Sequence, residues 1–397
     1  MAGKGRIGLV PARYGPGITG GAEIVLAQLA HRLRPRGWDV EILTTCALDH
    51  HSWANELPAG ESTDDGILIR RFPAVVDTPG AERAAVEAAI LAGRPVPLSQ
   101  QQRWINDGVR VPELFHHLLD HARDYRVLVF TPYPFWPTFA GSQVAPERSV
   151  LWTCLHDEPY ASLELFRPMF SGVAGLLFQT EPEHALGHRL VPRLARHALV
   201  GCGVEVPAGY DPAGFRDRYG IGGRFLLYAG RREGAKGWED LLRAFAAALT
   251  RRPDLPFTLV TCGGGPVRPP AGIADRVVDL GFLPDADRDA AYAAADAYLQ
   301  PSRYEAFSRT IMEAWLAGTP VLANGGSDVV RWHVERSGAG LTYDDDAEFT
   351  ECLAFLADAP AAADRLAAAG RDYVLAHYRW EDVLDRIEAA LLTWTAR

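Results

Sequence analysis

Two glutamates eight residues apart, Glu305 and Glu313, bracket part of the stretch LQPSRYEAFSRTIMEAWLAGTPVLANGGSDVV that runs from Leu299 to Val330. Apolar residues recur at helical spacing from Thr310 to Ala317 and Gly318 stops the run, so Glu313 falls inside a helix and Glu305 ahead of its N-terminus. A helix N-terminus presents unpaired N–H groups and partial positive charge, which places a phosphate near Arg309 and Thr310. Glu313 is then set to accept hydrogen bonds from a ribose diol, while Glu305 faces whatever the phosphate carries. Earlier in the chain, Arg231 and Lys236 flank a loop between an apolar run, Phe225 to Gly230, and the next helical pattern. Two fixed cations there suit a diphosphate, because Arg clasps oxygens two at a time and Lys adds a point charge. His156, in LHDEPY, follows another apolar run and lies where ligands of parallel sheets collect.

These residues need strands and helices in alternation, and the sequence supplies them. Arg6 to Pro11 reads as a buried parallel strand, followed by the glycine-rich YGPGITGGAE, a helix from Ala22 to Leu33 and a strand from Gly37 to Thr44. Gly15, Gly17 and Gly20 match a dinucleotide fingerprint, which keeps an NAD-dependent oxidoreductase as the alternative reading. Against it, the first glycine trails the strand, and Glu41 sits inside the second strand instead of at its end. A short strand at Ile67 to Phe72 leads into helices between Ala81 and His121, broken at Pro95 and Pro97. Strands follow at Val127 to Phe130, Ser149 to Cys154 and Gly175 to Thr180. The aromatic run Tyr133 to Pro137 offers either a ligand platform or packing against the helices. An apolar strand at Gly201 to Val204 and a linker from Val206 to Phe215 precede a second series: Phe225 to Gly230, the helix Trp238 to Thr250, and strands at Phe257 to Cys262 and Val277 to Leu280.

With 397 residues the chain has room for two α/β domains, and its formal net charge of −10 argues against non-specific nucleic-acid or anionic-membrane binding. The five cysteines are scattered without C-x-x-C spacing, which suggests neither a disulfide framework nor a zinc site. No stretch reads as a signal peptide or reaches transmembrane length, so a cytoplasmic location is expected. Asp344, Asp345 and Asp346 form the one obvious acidic cluster, and they precede a helical pattern where capping acids are common; no metal site is expected.

The segment PSRYEAFSRTIMEAWLAGTPVLA resembles the E-x7-E segment of retaining glycosyltransferases of family 4, with Ala306 and Ser308 where that family usually has glycines. GRREGAKGWEDLLRAF is similar to the family's Gly-Arg-x4-Lys-Gly element, Gly20-Gly21-Ala22-Glu23 to its GGAE loop, and Gly263 to Pro266 to its G-x-G-P turn. The resemblance implies a GT-B fold of two Rossmann-like doubly wound α/β domains facing a central cleft. The acceptor-side domain would span 1–205 and the nucleotide-sugar domain 206–380, with a terminal helix in 381–397 packing back on the first. It implies a metal-independent, retaining transferase that moves a sugar from a nucleotide-diphosphate sugar to a small-molecule, glycan or lipid-linked acceptor, without a resident cofactor. By the same resemblance Gly20 and Gly21 approach the donor diphosphate, Arg231 and Lys236 bind it, His156 and Glu305 lie by the donor sugar, Glu313 holds the ribose and Leu283 sits on the base side. A non-catalytic nucleotide-sugar-binding protein is a further reading.

Overall fold

The computed structural model describes residues 3–18, 20–77 and 80–395. The chain divides into two compact units, Met1–Cys202 together with Glu381–Arg397, and Gly203–Trp380.

The first unit contributes β1 (Gly5–Pro11), β2 (Trp38–Thr45), β3 (Gly60–Asp64), β4 (Ile67–Phe72), β5 (Val75–Val76) and β6 (Val109–Arg110). It continues with β7 (Val127–Thr131), β8 (Ser149–Trp152), β9 (Gly175–Phe178) and β10 (His197–Leu199). The main sheet has the order β10-β9-β8-β7-β1-β2-β4-β3, parallel except where β3 pairs with β4. Ile7, Leu9, Val127, Val129, Leu176 and Phe178 have no exposed surface, as continuous apolar runs must when helices cover both faces of a sheet. β3, GESTD, was not anticipated: it is polar, exposed throughout and lies at the sheet edge, so no apolar pattern marks it.

Three expected boundaries are corrected. The strand expected from Ser149 to Cys154 stops at Trp152, and Cys154 takes φ 46° as the chain leaves the sheet. The strand expected at Gly201 to Val204 is absent; β10 lies earlier, and Val204 makes only an isolated bridge to Arg379. The linker expected from Val206 to Phe215 overlaps the helix Pro212–Tyr219, which begins with Pro in its first turn and is capped by the Asp211 carboxylate accepting from Gly214 N.

The second unit contributes β11 (Arg224–Ala229), β12 (Phe257–Cys262), β13 (Val277–Asp279), β14 (Ala297–Gln300), β15 (Val321–Asn324) and β16 (Gly340–Tyr343). All pairs are parallel, in the order β13-β12-β11-β14-β15-β16. Counted within the unit this is 3-2-1-4-5-6, the doubly wound Rossmann order, whose direction reverses between β11 and β14. Loops at the carboxyl ends of those two strands therefore diverge to opposite faces and leave a crevice, the usual ligand position. Gly237 ties the two loops together: its φ is 72°, and a Cβ there would lie 2.5 Å from Pro301 O. Any other residue at that position would be strained and would push the loops apart.

Candidate functional site

The crevice end of β11 carries two arginines with different tasks. Arg231 is exposed, with Nη2 3.2 Å from Glu233 Oε1. Arg232 is buried and donates to Gly265 O (2.9 Å), Thr261 Oγ1 (3.4 Å) and Asp279 Oδ2 (3.3 Å), so it braces the glycine turn after β12. Lys236 follows in the single 3-10 turn Gly234–Lys236, directly before the helix Trp238–Arg251. Its Nζ donates to Glu305 Oε1 at 2.8 Å, with the two side chains 30% and 12% exposed. Residues 69 apart in sequence meet because β11 and β14 are neighbours.

Beyond β14 the loop closes on a buried floor. Phe307 packs edge-on against His333 and Tyr378, with centroids 5.3 Å and 4.9 Å away. Burial pushes the His333 imidazole down to about 3, so the floor is neutral. Ser308, the residue before the helix Arg309–Leu316, has the left-handed φ of 66° that glycine takes freely, and its Oγ accepts from Gln300 Nε2 at 2.5 Å. Its side chain caps no helical N–H, which leaves the helix N-terminus available to an anion. Thr310 sits in this first turn, its Oγ1 3.4 Å from Gln300 Nε2.

Glu313, one turn into the helix, lies 3.6 Å from Arg309 Nη2 and accepts from Tyr292 OH at 3.3 Å. Arg309 Nε and Nη1 are buried and have no hydrogen-bond partner among the described residues. Buried N–H groups without an acceptor cost free energy, and this edge of the guanidinium has donors to offer a ligand oxygen. No sequence pattern singles out these orphaned groups. Phe282 was also missed: it is 69% exposed just beyond β13, whereas neighbouring Leu283 is half-buried. An aromatic residue after Gly281 in a strand-end turn was the available signal.

Gly20, Gly21 and His156 belong to the first unit. Gly20 precedes the helix Gly21–Leu33, and a Cβ on it would lie 2.1 Å from Glu23 Oε2. Glu23 is buried and paired with Arg13 Nη2 at 2.6 Å, so the glycine turn rests on an ion pair. Thr19 of the same loop lies outside the described residues. A cavity of about 740 Å³ opens beside the loop, lined in part by Tyr14, Glu23, His31, Asp64 and Arg71. The dinucleotide reading finds no support in this geometry: β1 ends at Pro11, well before Gly15, and Glu41 is buried within β2, held by Arg70 and Arg6 where it cannot reach a ribose.

His156 is half-buried, with Nδ1 3.8 Å from Glu158 Oε1. Its loop is anchored by Glu183, which is buried and takes hydrogen bonds from Leu155 N (2.7 Å) and Gln179 N (2.6 Å). Burial raises the Glu183 carboxyl to about 7 despite these donors. Thr153 Oγ1 donates to Glu183 Oε1 at 2.6 Å and lies 3.1 Å from Leu177 O, so its one hydrogen has two acceptors within reach. The aromatic run before His156 packs inward at Tyr133, which contacts Phe166 and Phe170 and donates to Glu158 Oε1 at 2.7 Å. Among the three aspartates, Asp345 Oδ1 accepts from Ala347 N and Glu348 N, as a helix cap does, while Asp344 pairs with Arg331 and Asp346 with Arg243.

Residues 223–359, which include every proposed site residue of the second unit, match the family model described as "Glycosyl transferases group 1". A 2-deoxystreptamine glucosyltransferase of Streptomyces kanamyceticus is 37% identical over 120 residues, 28% of this chain and 30% of that relative. A D-inositol 3-phosphate glycosyltransferase of Thermobispora bispora is 27% identical over a 421-residue alignment covering 94% of this chain and 90% of its own. Among solved structures, the sucrose-phosphate synthase of Thermosynechococcus elongatus superposes with a TM-score of 0.71 at 20% identity, over 97% of this chain and 98% of its own. HepE of Anabaena in complex with UDP-glucose gives 0.67 at 18%, over 98% and 99%. The switch-point crevice, the matched segment and the shared fold agree: over residues 223–359 the chain is similar to the group 1 glycosyltransferases, and its fold is GT-B.

Proposed function

We propose that this transferase takes its sugar from a nucleoside-diphosphate sugar held by the second unit, and that transfer retains anomeric configuration without a metal ion. What carries the reading is the crevice between β11 and β14, where Lys236, Glu305 and the uncapped helix N-terminus converge beside the buried, unpartnered N–H groups of Arg309. Arg231, Lys236 and the first turn of the helix Arg309–Leu316 stabilise charge growing on the leaving diphosphate, typically the largest electrostatic term in such a reaction. Glu313 orients the ribose and Glu305 the sugar side. The C1–O bond to the β-phosphate breaks as the acceptor oxygen attacks C1 from the same face, and the acceptor proton passes to the departing phosphate, so no base on the far face is needed. By their motifs Gly20 and Gly21 are assigned to the donor diphosphate, His156 to the donor sugar and Leu283 to the base side.

UDP-glucose is the first donor to test, because solved neighbours are complexes of UDP and UDP-glucose. A thermal-shift screen of nucleotide sugars should single out one donor, which stabilises the native state by mass action. With that donor, Arg231→Ala and Lys236→Ala should each lower turnover by about two orders of magnitude while the protein stays folded. Wild-type kinetics in both variants would remove the diphosphate assignment. Excess chelator should leave turnover intact; activity lost on chelation and restored by magnesium or manganese would overturn the metal-free reading.

A further inference from the structure

The far edge of the first unit holds three histidines that the proposed reaction does not use. His184 and His188 lie one turn apart on the helix Glu181–Leu190, and His197 opens the edge strand β10. An i,i+4 pair projects from one face of a helix, so both imidazoles aim the same way, and here they aim at His197. Ring centroids are 4.6 Å apart for His184 and His188, 4.7 Å for His184 and His197, and 5.2 Å for His188 and His197. One ring nitrogen from each of the three lies within 4.8 Å of the others.

Two details make this cluster look like a ligand set and not a chance gathering. His197 Nδ1 lies 3.0 Å from Ala195 O, and a carbonyl can only accept, so the proton resides on Nδ1 and Nε2 keeps its lone pair. This backbone anchor is the usual way a metal-binding imidazole is oriented. His184 Nε2 and His188 Nε2 are 3.0 Å apart, close to the ~3.3 Å between two nitrogens that share a tetrahedral cation at about 2.0–2.1 Å. Beneath them buried Phe178 supplies a rigid apolar floor, its ring 5.1 Å from His184 and 6.2 Å from His197.

We propose that His184, His188 and His197 bind one divalent first-row transition cation of the zinc type, with water in the fourth position, as a clamp between the helix Glu181–Leu190 and β10. Three imidazoles select zinc, copper or nickel over magnesium and calcium, which prefer oxygen ligands. β10 has three residues and, among the described residues, pairs on one side only, with β9, so a cation bridging it to the helix fastens an edge strand of the sheet. The cation is structural and takes no part in sugar transfer.

The test uses the full chain without a histidine affinity tag, stripped with chelator and titrated calorimetrically with zinc chloride. One zinc per chain should bind with a dissociation constant in the micromolar range or tighter, and should raise the midpoint of thermal unfolding. His188→Gln and His197→Gln, both at exposed side chains, should each weaken binding by about tenfold or more, and the double variant should abolish it. His51→Gln, within the other histidine group Asp49, His50 and His51, should bind zinc as wild type does. Absence of saturable zinc binding in the wild type, wild-type affinity in the double variant, or loss of binding in His51→Gln would each overturn the proposal. Turnover should be equal with and without zinc.

Discussion

Lys236 and Glu305 neutralise each other at 2.8 Å, whereas Glu313 is held by Arg309 and Tyr292. The two acids should therefore respond differently to the same substitution. Glu313→Gln keeps its shape but loses charge-assisted acceptance, so nucleoside diphosphate and intact donor should both bind more weakly by roughly 1.5–3 kcal/mol. Glu305→Gln frees Lys236 for phosphate, so the bare diphosphate should bind as in wild type or slightly tighter, while turnover or the sugar-dependent part of affinity falls. Calorimetric titration of both variants with both ligands reads this directly. Equal weakening of the bare diphosphate by the two variants would show that the acids do not divide ribose from sugar.

At the scale of elements, the turn that aims the helix Arg309–Leu316 depends on a serine in glycine's conformation. A left-handed φ costs an L-residue roughly 1–2 kcal/mol, while the Ser308 hydroxyl recovers part of this through Gln300. Ser308→Ala retains the strain and loses the bond, whereas Ser308→Gly loses the bond and relieves the strain. Denaturant unfolding should thus find Ser308→Gly more stable than Ser308→Ala by about 1 kcal/mol; the reverse order would mean the left-handed conformation is not strained. Glu183, which joins the ends of β8 and β9, gives a pH prediction. Its folded pKa of about 7 lies above the ordinary 4.5, so its stabilising contribution is complete below about 4.5 and is lost as pH rises through about 7. Wild type should accordingly exceed Glu183→Gln in unfolding free energy by more at pH 5 than at pH 8, and an advantage that grows with pH would contradict a protonated Glu183.

Across the whole molecule, the last helix, Trp380–Trp394, leaves the second unit at Trp380 and ends in the first. Glu388 fastens it there: Lys4 Nζ, Trp38 Nε1 and Arg36 Nη1 donate to its carboxylate at 2.6, 2.7 and 2.8 Å. Burial works against the charge, yet these donors hold the Glu388 pKa below its ordinary value. Glu388→Ala takes the partner from Lys4 and from the Trp38 indole N–H, while Arg36 keeps Asp385, and should lower the unfolding free energy of the first unit by about 2–3 kcal/mol in calorimetry, without weakening donor binding to the second. A loss confined to the second unit's transition would show that the helix is not anchored through Glu388.

The α/β class and the likeness of the second half to group 1 glycosyltransferases were legible in the sequence. Apolar runs separated by amphipathic helices can hardly be anything but buried parallel strands, and motifs such as GRREGAKG and E-x7-E keep their order along the chain. Local pattern failed where a strand's environment is not apolar, as at β3, or where apolar residues serve packing and not pairing, as at Gly201 to Val204. What only the tertiary structure decided is which chemistry-bearing groups meet. Strand order is a long-range property with no local signature, and it is the adjacency of β11 and β14 that sets Lys236 on Glu305, just as the edge position of β10 sets His197 against a pair of histidines one helix away. Likewise, the unpaired N–H groups of Arg309 follow from how much surrounding chain covers them, a quantity that exists only once the chain has folded.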